Sequence, residues 1–195
     1  MIISLSSGFS DSPAEMRDAI KMKNNKKMTE EIGKRAYDLG FEYEKKYHGC
    51  AQCVVAAVQD TMNIRNDDIF KAMTGCGGGG GGCCNGSCGA LVGGIVILSW
   101  LAGRSRDEFE NVDVSRAYEL TRALQKKFID EYGAVICRDI NMNVFGRPFY
   151  TADPDEYRKF QAAGSYDDKC TAVVGNASRW VVEMIIEEGL VPVPE

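Results

Sequence analysis

Residues 88–102, CGALVGGIVILSWLA, decide the reading of the fold. From Ala90 to Ala102 the chain is apolar on every side, relieved only by Gly93, Gly94 and Ser99. A run of about 13 residues is too short to span a membrane, which takes roughly 18 to 20. A helix apolar all round belongs in the middle of a bundle. The flanking segments supply that bundle. Ile32, Ala36, Leu39 and Tyr43 recur at four, three and four, which predicts a helix near 28–47. Gly49 breaks it, and Ala51, Val54, Val55, Val58 and Met62 mark the buried stripe of a second helix from Cys50 to about Met62.

Beyond the apolar segment, Val114, Ala117, Thr121, Leu124 and Phe128 give an amphipathic helix stopped by Gly133. The last helix is expected to start at Ser165, with Asp168 three residues on as a capping box, and to end at Gly189 before Pro192. Between these two, residues 141–164 carry turn formers, aromatics expected to be exposed, and one short helix begun by Asp153 and Pro154. No segment alternates as a strand. The expected architecture is an all-α, single-domain helical bundle with a central apolar helix and a Gly/Cys-rich loop at that helix's N-terminus. Residues 1–27 form an N-terminal extension with a short helix, and 28–190 the cysteine-rich domain.

With 195 residues, 45% of them hydrophobic and 26% charged, the chain can bury a substantial core and is not a disordered polymer. A formal charge of −5 without any basic block excludes a nucleic-acid binder. The N-terminus MIISLSSGFSDSPAEM lacks a basic region and an apolar stretch long enough for export, so a cytoplasmic protein without membrane insertion is expected. Eight cysteines stand against one histidine, His48. Thiols stay reduced in the cytosol, so this count favours metal or redox chemistry built mainly on sulfur.

Three cysteines share an unusual place. Cys50 follows Gly49 at a helix start, Cys88 follows the cap-forming Asn85-Gly86-Ser87, and Cys170 lies within about a turn of Ser165. A thiol in the first turn of a helix meets free N–H groups and the positive end of the macrodipole, both of which favour thiolate. Cys137 has Arg138 beside it. Free cysteines are often plain core residues, but three helix-start thiols around a glycine-rich, four-cysteine segment are a poor match to that explanation.

The six-glycine run Gly77 to Gly82 leads into Cys83 and Cys84, where a phosphate loop needs Lys and Ser or Thr, and no strand precedes it as a dinucleotide fold requires. A side-chain-free backbone can instead approach a bulky group and donate N–H bonds to sulfur, one way iron–sulfur potentials are tuned. Gly78, Gly80, Gly82 and Gly89 are the glycines expected at such a cofactor. The Cys50-Ala51-Gln52-Cys53 pair has no βαβ context for a thioredoxin, and no histidine follows it for haem attachment. A zinc site would want a second C-x-x-C or a C-x-x-H.

These residues resemble a known family. Gly49-Cys50-Ala51-Gln52, then Cys88-Gly89-Ala90-Leu91-Val92-Gly93-Gly94, then Cys137-Arg138-Asp139-Ile140, then Cys170, look like the C-GCAxxG-C-C family of redox-active proteins, over about residues 30 to 188. The resemblance implies a helical domain with four key cysteines, Cys50, Cys88, Cys137 and Cys170. It also implies a likeness to the iron–sulfur domain of split-Soret cytochromes c, whose haem this chain has no motif to attach. Cys53, Cys76, Cys83 and Cys84 are additional to the pattern.

The expected function is electron transfer through an iron–sulfur cluster of unspecified type, held by Cys50, Cys88, Cys137 and Cys170, with Cys53, Cys83 and Cys84 extending or tuning it. Two alternatives use the same residues. One is a metal-free thiol-disulfide or peroxide reductase, in which Cys50 or Cys88 attacks and Cys53 or Cys84 resolves. The other is a carrier of metal or sulfur. The expected partners are a redox protein of unspecified identity and a second copy of the chain, which would cover the apolar helix and its glycine groove.

Overall fold

The computed structural model describes residues 13–110 and 112–194, with side chains from Met22 onward. Among the described residues there are eight α-helices and no strand. They are α1 (Pro13–Tyr47), α2 (Cys50–Met62), α3 (Asp67–Ala72), α4 (Gly89–Ala102), α5 (Ser115–Tyr132), α6 (Cys137–Phe145), α7 (Pro154–Ala162) and α8 (Cys170–Glu187). The fold is all-α.

α1 reaches much further back than the apolar stripe predicted, running unbroken from Pro13 rather than beginning near residue 28. Residues 1–12 of the expected N-terminal extension lie outside the described residues. The long helix lies along α8, and α2 packs against α1, α4 and α8 together. The buried line on α1 keeps Ala36 of the predicted stripe, whose Ile32, Leu39 and Tyr43 are only half-buried. That line is Gly33, Ala36, Gly40 and Glu44, small residues that let α8 come close, ending in an acid.

α2 starts and stops where its flanking residues dictate. Gly49 and Asn63 both sit in the left-handed region, with φ of 93° and 55°, and Ala51, Val54, Val55, Val58 and Met62 are all buried. α5 ends at Gly133 in the same left-handed conformation, φ 70°. α7 is capped as predicted, Asp153 Oδ1 accepting from the N–H groups of Asp155 and Glu156. The core is one cluster drawn mainly from α2, α4, α5 and α8, in which Phe128 meets Trp180 edge-on at 5.5 Å between ring centres.

Three expectations need correction. α4 is apolar all round but not enclosed all round. It buries Ala90, Leu91, Gly93, Gly94, Ile97 and Leu98 against α2, α5 and α8, while Val92, Ile95 and Val96 are half-buried and Trp100 is 39% exposed. The capping box at Ser165 does not form. Residues 165–169 make a single π turn, Ser165 Oγ has no partner, and α8 begins only at Cys170. The aromatics of 141–164 are not all exposed either, since Phe149 and Phe160 are buried against each other and Phe145.

Candidate functional site

All four cysteines of the recurring pattern stand at helix N-termini. Cys50, Cys137 and Cys170 are the first residues of α2, α6 and α8, and Cys88 is the residue that caps α4. α6 was not predicted, because Ile136 before it offers no capping side chain. A short antiparallel bridge between Ser87 and Ile136 ties two of these starts together. The Cys88 N–H donates to Val135 O at 2.9 Å, and the Cys137 N–H donates to Gly86 O at 3.0 Å.

The four cysteines line one cavity of about 230 Å³, together with Cys84. Apolar side chains close it, chiefly Ile140, Phe149, Phe160, Val173 and Val174, with Tyr166 beside them. A single water needs only about 10–15 Å³ by a comparable measure, so the space suits a group of several atoms. Among the described residues, no three His, Cys, Asp or Glu side chains converge tightly enough to hold one metal ion. The lining includes Glu44 but no lysine or arginine.

The positions of the other expected site residues divide sharply. Cys53 leaves the cavity: its Sγ lies 3.3 Å from the His48 carbonyl oxygen and beside the Glu44 carboxyl. The C-x-x-C therefore splits, with Cys50 inside and Cys53 outside. Cys83 is also outside, partly exposed over the Gly81 carbonyl. Gly78 and Gly82 line the cavity, Gly89 lies against Cys50 Sγ, and Gly80 is exposed.

The glycine loop does less donating than predicted. The N–H groups of Gly80, Gly81, Gly82 and Cys84 bond to the carbonyls of Gly75, Gly75, Gly77 and Gly78 within the loop itself. Gly78 alone among the four expected glycines gives its N–H to a cysteine, Cys50. Helix starts supply further N–H donors, Ala51 to Cys50 and both Ala90 and Leu91 to Cys88, and Phe149 in the loop after α6 donates to Cys84. Asn141, buried in α6, adds a side-chain donor 3.4 Å from Cys137 Sγ.

Burial overrides the helix dipole at three of these thiols. Desolvation, reinforced by repulsion between neighbouring thiolates and Glu44, holds Cys50 and Cys170 well above the usual thiol range and pushes Cys88 to about 11. The metal-free cavity is thus lined by neutral thiols. Cys84 is the exception. Its Sγ lies 3.6 Å from Cys137 Sγ, and a hydrogen bond from that neighbour draws Cys84 down to about 7, leaving the pair's proton on Cys137. Cys84 itself occupies the left-handed region at φ 63°.

On the outer side, the His48 ring stacks on Tyr166 at 3.7 Å between ring centres, and His48 Nδ1 lies 3.3 Å from the Tyr157 hydroxyl. His48 faces no cysteine of the cavity and serves to hold this aromatic wall.

Fold and site together define a helical protein built around a thiol-lined cavity. The chain belongs to the family described as "Putative redox-active protein (C_GCAxxG_C_C)", whose model matches residues 48–184. No curated protein and no solved structure matches it. No helix of the described residues is long and apolar enough to cross a membrane.

Proposed function

We propose that this protein is an electron carrier that holds an iron–sulfur cluster in the thiol-lined cavity, on Cys50, Cys88, Cys137 and Cys170, with Cys84 as a fifth thiol at the same wall. The observation that carries this reading is that four helix N-termini, far apart in sequence, bring sulfur to one space and nothing cationic with it. The donor set fits the group: sulfur is soft, the cavity accommodates several atoms, and the thiols repel one another as anions until positive charge separates them. When bound, the cluster supplies reversible one-electron transfer. The chain's own part is to hold the thiolates by helix-start N–H groups, to donate from Asn141 to Cys137, and to keep water out with Phe149 and Phe160. Cys53 and Cys83 take no part as ligands in this reading.

The test is anaerobic purification followed by assay of iron and sulfide per chain and a visible spectrum. Matched iron and sulfide with broad absorption between roughly 320 and 450 nm is expected. Cys88→Ser and Cys170→Ser should lose most of both, while Cys53→Ser and Cys83→Ser keep them. A wild-type chain free of iron and sulfide, prepared without oxygen, overturns the reading.

The 3.6 Å separation of Cys84 and Cys137 favours a second reading, a thiol couple at the cavity wall. In it the Cys84 thiolate attacks an acceptor disulfide, the acceptor's S–S bond breaks, and Cys137 then displaces the acceptor thiol. One S–S bond forms in the chain as the acceptor gains two electrons and two protons. Treatment of the metal-free protein with oxidised glutathione should remove two titratable thiols per chain, and peptide mapping should join Cys84 to Cys137. Cys83→Ser should behave as wild type and Cys84→Ser should lose the effect. A disulfide mapped to Cys50 and Cys53 would reject this pairing.

A further inference from the structure

The buried line of α1 ends at the cavity in a carboxyl group. Gly33, Ala36 and Gly40 pass under α8 as small residues, and one turn later the same line delivers Glu44, which is 3% exposed. Glu44 lies before residue 48 and so outside the stretch that matches the family. It lines the same cavity as Cys50, Cys84, Cys88, Cys137 and Cys170. Its carboxyl sits beside the Cys53 thiol, yet its Oε2 is fully buried with no hydrogen-bond partner.

A buried carboxyl oxygen without a partner is destabilising, and protein interiors normally supply an N–H, a hydroxyl or a cation. No such partner reaches Oε2. No lysine or arginine lines the cavity, and the neighbour that bonds the carboxyl is the Cys53 thiol. A positive charge that completes the site would come with whatever occupies the cavity. Carboxylate oxygen is a competent metal ligand, and it differs from thiolate in being hard and less electron-donating.

We propose that Glu44 is an oxygen ligand to the metal group of the cavity, so that the site is a mixed thiolate–carboxylate centre with α1 contributing one ligand; this rests on the cluster reading above. The role gives the last turns of α1 a function beyond packing. It also explains why Cys53 turns outward, since a thiol there supports the carboxyl from behind.

Wild type, Glu44→Gln and Glu44→Cys, all purified anaerobically, test the assignment by iron and sulfide content, electron paramagnetic resonance of the reduced protein, and reduction potential. Glutamine keeps the size of the side chain, and the helicity and melting of metal-free Glu44→Gln should match wild type at pH 4. With that fold intact, Glu44→Gln should lose about tenfold in retained iron or shift its resonance spectrum. Glu44→Cys should retain iron with stronger sulfur-to-iron absorption and a lower potential, because a thiolate replaces the carboxylate. Iron, sulfide and resonance spectra identical to wild type in both variants would overturn the ligand role and leave the cluster reading standing. A wild-type chain without iron and sulfide would overturn both.

Discussion

Gly93→Val should destabilise the chain by about 3 kcal/mol, lowering its melting temperature by roughly 6–12 °C. Gly93 lies on α4 where that helix crosses α2. A Cβ placed there would stand 2.5 Å from Ala51 O and 3.2 Å from Val54 Cβ. The first of these is backbone and cannot rotate away, so the two helices would have to part. Parting them moves Ala51, and with it Cys50 at the head of α2, so the loss of stability should come with a loss of whatever the cavity holds. Gly75→Ala is the control: no atom lies within 4 Å of its added Cβ, its φ is not in the left-handed region, and its effect should stay within about 0.5 kcal/mol. Thermal unfolding followed by circular dichroism measures both. Equal melting of Gly93→Val and wild type would mean that α2 and α4 do not approach as closely as described.

The metal-free protein should depend on pH through Glu44 on a similar scale. Burial raises its carboxyl from an ordinary 4.5 to about 7, more than offsetting the hydrogen bond from Cys53. Below about pH 4.5 the group is protonated in both folded and unfolded chains and costs nothing. As pH rises through 7 the folded protein must accept a buried charge that the unfolded chain already carries in water, and up to about 3 kcal/mol of stability is lost. Glu44→Gln keeps the neutral form at every pH. Chelator-treated Glu44→Gln should therefore match wild type near pH 4 and exceed its stability by about 3 kcal/mol at pH 8, measured by urea unfolding. A difference that stays flat from pH 4 to 8 would show that the carboxyl is not desolvated.

Much of this was legible in the residues. α2 could be read from Cys50 to about Met62 because Gly49 precedes an unbroken apolar stripe, and α7 because Asp153-Pro154 has the chemistry of a helix start. The thiols of Cys50 and Cys88 could be placed at helix starts from their neighbours, whereas Cys170 was placed near one by a Ser165 cap that does not form. Cys137 could not, since Ile136 has no capping side chain and α6 is held by the bridge to Ser87, a contact remote in sequence. The split of Cys50 from Cys53 was likewise hidden, because spacing alone does not tell which side chain a neighbouring helix will cover. Glu44 left a trace that periodicity scoring by apolarity overlooks. It continues a line of small residues, 33, 36 and 40, that marks a close helix contact.

The glycine loop has one more consequence. Gly78, Gly79, Gly80, Gly81 and Gly82 are successive residues with φ between 57° and 87°, so the backbone runs for five residues on the side of φ that L-amino acids avoid. Loops are ordinarily where a sequence drifts most freely, because their side chains touch little. A Cβ added at Gly80 or Gly81 would meet nothing within 4 Å, yet their handedness alone makes replacement costly. Chirality thus closes to evolutionary change a stretch of surface that packing leaves open.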